Sequence, residues 1–175
     1  MLSAFCAEGV EFVVVGGYAI AAHGRPRSTG DIDLFVRASA ANAERVWRAL
    51  KRFGAPLAGV SVRDFEDPDL IFQIGVEPCR IDVITSISGV DFESVWDRRI
   101  QFEVEGIVVP VIGREDLVAN KRASGRHKDL ADVEMLEGLA KLEAARAAPK
   151  PRRPRASRAK QRLRRPRESG GPEVP

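Results

Sequence analysis

Cysteine is nearly missing from this chain: Cys6 and Cys79 are the only two in 175 residues. Two thiols cannot build a disulfide framework, and neither belongs to a C-x-x-C pair of the kind that holds zinc. Histidine is equally scarce, and His23 and His127 lack ligand-type spacing to each other. Long apolar runs are also absent. The longest, residues 12–22, contains Gly16 and Gly17 and falls short of the roughly 18 residues that a membrane span requires. It follows Glu8 and Glu11 rather than a basic leader, so export is not expected. A reducing cytoplasm and no membrane partner are the expectations. No internal repeat is present.

Charge is plentiful but unevenly placed. The net of +3 divides into a basic end and an acidic body, because residues 149–175 hold ten Lys or Arg against two Glu. Six of the eleven prolines also fall there, with Leu163 and Val174 as the sizeable apolar residues. Such a composition cannot bury enough surface to offset its ordering entropy, so 149–175 reads as a disordered Arg/Pro-rich tail. No aromatic residue interleaves its charges to stack on bases, which argues against a dedicated nucleic-acid arm. The body, residues 1–148, reads as one folded domain.

Its periodicity is mixed. A β-branched run at 11–15 ends at Gly16-Gly17, and an Ala-rich stretch at 18–23 stops at Gly24, as a short helix does. Residues 31–36 and 80–85 alternate like half-buried strands. Val46, Trp47, Leu50 and Phe53 mark a helix over 39–53, ended by Gly54. A short helix at 91–97, a hairpin from 102–104 and 107–112, and two helices at 114–124 and 128–147 complete the pattern. Trp47 and Trp96 are expected in the core.

The chemistry concentrates in residues 13–36. Aspartate is disfavoured within strands, yet Asp31 and Asp33 flank Ile32 in an otherwise good one. The period of two puts both carboxylates on one face, roughly 7 Å apart along the chain. Two like charges that close are costly unless a cation or strong donors neutralise them. Mg²⁺ suits them, since it takes oxygen ligands from one or two carboxylates plus substrate phosphates. Asp82 is a third acid in a second apolar strand. If the two strands are neighbours, three carboxylates converge as phosphoryl chemistry on metal ions requires. Gly16-Gly17, where a strand gives way to a helix, allows a phosphate to approach the backbone closely.

Structural readings stand beside these. Asp31 and Asp33 could instead cap backbone or pair with Arg25 and Arg27, and Asp82 could be a solvated edge residue. Arg25 and Thr29 suit phosphate, but a basic turn is ordinary. Lys128 and Asp132 have the spacing of a surface i, i+4 pair. Lys121, within an otherwise apolar helical face, could reach a triphosphate with Asp129 or Asp132 orienting it.

Gly16-Gly17-Tyr18-Ala19, then Gly24, Arg25, Thr29 and Asp31-Ile32-Asp33-Leu34, together resemble the opening motif of the polymerase-β-like nucleotidyltransferase superfamily. The pattern is also similar to that of lincosamide and aminoglycoside nucleotidyltransferases. Residues 117–132, with Lys121, Arg126, Lys128, Asp129 and Asp132, resemble the helical motif of the bacterial AbiEii-type nucleotidyltransferase toxin group. The two matches span residues 13–136.

The resemblance implies an α+β fold, a central mixed sheet flanked by helices. It also implies that Asp31, Asp33 and Asp82 bind Mg²⁺ and, with Lys121, carry catalysis. Gly16, Gly17, Arg25, Thr29 and Asp129 would form the site for an NTP such as ATP. A nucleoside monophosphate would pass to an acceptor with pyrophosphate leaving. That acceptor is open among tRNA, a protein side chain and a small molecule, and a toxin of this type would have an antitoxin protein as partner. Two departures stand out. The superfamily's usual Gly-Ser is Gly-Gly here, which removes a hydroxyl, and no sizeable C-terminal acceptor-recognition domain is expected within 175 residues. The alternatives are a non-catalytic NTP-sensing module and a nucleic-acid-interacting protein acting through its tail. Three clustered acids favour the enzyme.

Overall fold

The computed structural model describes residues 1–25, 29–76 and 78–147. The expected tail at 149–175, and Arg27 and Ser28 of the basic turn, lie outside the described residues. The chain opens with α1 (Leu2–Ala7) and runs into β1 (Phe12–Val15), whose four side chains are all buried. At Gly16 it turns directly into α2 (Gly16–Ala22), two residues before the Ala-rich pattern suggests. β2 (Asp31–Val36) follows, then α3 (Ala40–Phe53). Ser39 caps α3 by accepting from the Asn42 amide, and Gly54 ends it at a left-handed φ of 83°, the conformation that glycine adopts without steric penalty.

After a 3₁₀ turn at Val62–Glu66 come β3 (Ile71–Ile74), β4 (Arg80–Ile84) and α4 (Phe92–Asp97). The hairpin of β5 (Ile100–Val104) and β6 (Ile107–Val111) then leads to α5 (Arg114–Ser124) and α6 (His127–Ala147). The six strands form one mixed sheet in the order β3-β4-β2-β1-β6-β5. β1 is antiparallel to β2 and parallel to β6, while β2 and β4 run parallel. The fold is therefore a mixed α/β arrangement with a central mixed sheet and helices packed around it.

Two elements have little signature in the sequence. α1 is six residues long, and Met1 at its start offers no capping side chain. β3 is a four-residue edge strand in which Phe72 and Ile74 turn toward the core and Ile71 and Gln73 outward. Because the outer face carries the apolar Ile71, the residue types of Ile71-Phe72-Gln73-Ile74 show no alternation to read.

The core is aliphatic and aromatic around β1. Phe5 meets Phe12 edge-on with ring centroids 5.3 Å apart, and Phe35 meets Phe92 likewise at 5.1 Å. From α3, Ala43, Val46, Ala49 and Leu50 are fully buried, a stripe at helical spacing. Each such aliphatic side chain larger than Ala contributes roughly 1.5–3 kcal/mol by leaving water. Trp47 and Trp96 lie at the edge of this core rather than inside it, each beneath a cation, Lys51 and Arg99 respectively. What matters for function is the centre of the sheet. β2 sits between β1 and β4, so its Asp residues have both the glycine turn and the third acid as neighbours.

Candidate active site

The parallel pairing of β2 with β4 sets Asp31 opposite Arg80 and Asp33 opposite Asp82. Side chains two apart on a strand share a face, so one side of the sheet presents three carboxylates and a guanidinium in a square. β1 adds the turn, since Val15 pairs with Asp33 and Gly16 follows at once. Gly16 has a φ of 65°, and a Cβ there would lie 2.0 Å from Asp33 Oδ2. No other residue fits. Gly17 is tight as well, because a Cβ would come within 2.7 Å of the Thr29 hydroxyl. The acids open onto a cleft of about 310 Å³ whose wall includes Gly16, Asp33, Gln73, Asp82, Lys121 and Arg126.

Arg80 bridges two of the three acids in the square. Its Nη2 donates to Asp31 Oδ2 at 2.7 Å, and its Nε donates to Asp82 Oδ1 at 2.8 Å. Nη2 also reaches Asp82 Oδ2 at 3.1 Å, which completes the two-pronged grip that guanidinium makes on carboxylates. Gln73 Nε2 adds a longer bond to Asp82 Oδ1 at 3.3 Å. Asp33 is pushed up to about 6. Burial is the main cause, followed by the charges of Asp82 and Asp31, with Lys121 and Arg80 opposing the rise.

The far wall comes from the α5–α6 junction. Gly125, at a φ of 65°, breaks the helix and folds the first turn of α6 back on α5. Lys121, which is buried, donates to Asp129 Oδ1 at 2.6 Å and lies 3.0 Å from Asp132 Oδ2. Arg126, mostly exposed, donates to the other Asp129 oxygen. Burial alone would raise the Asp129 pKa, but the bonds from Lys121 and Arg126 outweigh it and hold the carboxyl below its usual range.

The structure thus brings Gly16, Asp33, Asp82 and Lys121 to one cleft, with Asp31 beside them through Arg80. Gly17 and Thr29 pack on each other at the mouth of the turn, where the Thr29 hydroxyl donates to the Asp31 carbonyl at 3.3 Å. Arg25 is exposed just past α2, outside the cleft wall. Asp129 has no exposure and faces Lys121 and Arg126. Asp132 is buried against Lys121 as well, unlike the exposed surface partner that its spacing from Lys128 suggested. Sequence reasoning passed over Arg80 and Gln73. The signal for Arg80 was available, because the period of two that pairs Asp31 with Asp33 also pairs Arg80 with Asp82. Gln73 had none, since the residue types along β3 do not alternate.

Hard oxygen donors fit a divalent cation chemically. Asp31 Oδ1 is buried without a hydrogen-bond partner among the described residues, an oxygen available to a cation. Among the described residues, however, no three His, Cys, Asp or Glu side chains converge in metal-holding geometry. Arg80 stands between Asp31 and Asp82.

The site is thus a glycine turn set against acids on adjacent central strands of a mixed sheet, the arrangement that the resemblance to nucleotidyltransferases implies. The chain belongs to the family described as "Nucleotidyl transferase of unknown function (DUF2204)", which matches residues 1–153. Among solved structures it is similar to a Thermotoga maritima protein provisionally described as a nucleotidyltransferase. The two share 18% identity over 82% of this chain and 88% of that one, with a TM-score of 0.49. No curated protein matches the chain.

Proposed function

We propose that the cleft is the active site of a divalent-cation-dependent nucleotidyltransferase that moves a nucleoside monophosphate from an NTP to an acceptor hydroxyl. The carrying observation is the register of β2 and β4, which opposes Asp33 to Asp82 directly beneath the Gly16 turn. Asp31, Asp33 and Asp82 would hold Mg²⁺, which when bound supplies charge neutralisation for the triphosphate and the departing pyrophosphate. Gly16 and Gly17 let the Asp33 and Thr29 side chains pack against the turn, where the backbone amides at the start of α2 would face the phosphates. Asp82 takes the proton from the acceptor hydroxyl as its oxygen attacks the α-phosphorus. A new P–O bond forms there, the bond to the β-phosphate oxygen breaks, and pyrophosphate leaves with that electron pair.

Lys121 contributes through its place in the cleft wall, where two carboxylates fix its amine and leave its third proton for a phosphate oxygen. Asp129 acts on the nucleotide indirectly, by holding Lys121. The arrangement of Lys121, Arg126, Asp129 and Asp132 supports the AbiEii-type branch, with tRNA or a small molecule as acceptor and an antitoxin protein as counterpart in a toxin pair. The test is transfer of label from α-³²P NTPs to components of a cell extract. Transfer that requires Mg²⁺ and is abolished in Asp33→Asn is the expected result. Label transfer by the variant equal to wild type would refute the assignment.

A further inference from the structure

The square of side chains on β2 and β4 holds three acids and one base, and the base sits where the acids would need a cation. Arg80 touches three carboxylate oxygens on two strands, at 2.7, 2.8 and 3.1 Å. Its side chain is about one-quarter exposed, as is that of Asp31, and Asp82 is more buried still. Charge-assisted bonds of this kind, partly shielded from water, are among the stronger ones in proteins. Arg80 thereby satisfies a cluster that like-charge repulsion would otherwise destabilise. The same grip ties Asp31 and Asp82 to a guanidinium, and no three-acid group with metal-holding geometry exists among the described residues. Yet Asp31 keeps one buried oxygen without a hydrogen-bond partner. Its carboxylate is therefore only half used by Arg80.

We propose that Arg80 is a positioning residue that acts as an internal counter-cation, holding Asp31 and Asp82 ready in the free protein and competing with a divalent cation for them. This inference rests on the nucleotidyltransferase reading of the cleft. Its consequence is an order of events. A divalent cation alone must displace the guanidinium from three carboxylate oxygens, so it binds weakly. A cation arriving with a triphosphate brings anionic oxygens that can take the guanidinium in exchange. Cation and nucleotide then bind cooperatively, and the coupling is reciprocal. The device keeps the acids satisfied between turnovers and makes metal loading depend on substrate.

The experiment measures Mn²⁺ binding to the full chain by electron paramagnetic resonance, with and without a non-hydrolysable NTP analogue. Arg80→Gln should bind Mn²⁺ alone more tightly than wild type, by about tenfold for the loss of a charged two-pronged competitor. With the analogue present the advantage should vanish or reverse. Arg80→Lys keeps the charge with a single point of contact and should fall between the two. It also serves if Arg80→Gln does not fold, as judged by circular dichroism. Folded Arg80 variants that bind Mn²⁺ no more tightly than wild type would overturn the proposal. Asp33→Asn separates that failure from failure of the site itself. If Asp33→Asn leaves wild-type Mn²⁺ binding unchanged, the acids are not the metal site and both readings fall. If it weakens binding while the Arg80 variants do not strengthen it, only the counter-cation role is lost.

Discussion

Asp33 is the residue where the opposing demands of fold and chemistry meet. It is pressed by the Gly16 turn on one side and faces Asp82 on the other, and its pKa rises to about 6 because burial and two acids disfavour its charge. A carboxyl whose folded pKa lies above its unfolded value near 3.9 takes up a proton more readily when folded. Its protonated form is therefore the comfortable one, and the stability it permits is lost as pH rises through about 6. Asparagine mimics that neutral form. In metal-free buffer, Asp33→Asn should match wild type near pH 4, gain on it between pH 4 and 6, and hold a constant advantage above. Urea midpoints at three pH values measure this. Asp129, whose pKa is held low, loses its stabilising contribution in acid, but it does so in both proteins and cancels from the difference. A constant advantage at every pH would show that the charge of Asp33, disfavoured by burial and by its two neighbouring acids, is not the cause.

The residues most legible from sequence were those whose neighbours lie along the chain. D-x-D in a strand and Gly-Gly at its turn were both readable, because period and dihedral preference are local properties. Arg80 was missed although it obeys the same period. A search for ligands weighs acids and passes over the base that pairs with them.

At the scale of elements, the α5–α6 junction carries the strongest structural claim outside the core. Gly125 redirects the chain so that Asp129 and Asp132 close on Lys121. The helix break, and the cluster of charges around it, could be read from residues 121–132. Which charges turn inward could not, since that depends on how the first turn of α6 packs across α5. β3 was hidden for a different reason: Phe72 and Ile74 face the core, but the outer face carries the apolar Ile71 beside Gln73, so burial alternates while residue type does not. Breaking the junction has a definite expectation. Lys121→Met removes one partner of a buried group and leaves Asp129 facing Arg126 alone. It should cost about 3–5 kcal/mol, the range for breaking a buried ion pair by removing one partner. Arg126→Met removes an exposed partner and should cost about 1 kcal/mol or less. Urea denaturation of both variants checks the contrast, and comparable losses would mean that the cluster is not organised around Lys121.

For the whole molecule, the acids mean that ligand binding and folding stability should be linked. A cluster with three carboxylates on two adjacent strands is a place where the free protein tolerates repulsion, and on the proposed function a bound cation would relieve it. Anything that binds the folded state alone raises the melting temperature in proportion to the logarithm of its concentration over its Kd. Mg²⁺ added with an NTP should therefore raise the melting temperature of the wild type. Asp31→Asn and Asp33→Asn should respond little, because each removes a charge that the cation needs while leaving shape unchanged. Their own baselines should differ in an informative way. Asp33→Asn relieves repulsion and should start at or above wild type at neutral pH. Asp31→Asn weakens a bond to Arg80 that is 2.7 Å long and should start below it, by about 1–3 kcal/mol for a hydrogen bond to a charged group. Differential scanning fluorimetry with Mg²⁺ alone, NTP alone and both together gives all three curves. If the acids hold the ion, only the wild type shows a shift with both ligands that exceeds the sum of the separate shifts. Equal shifts in all three proteins would show that the ligands bind elsewhere on the fold.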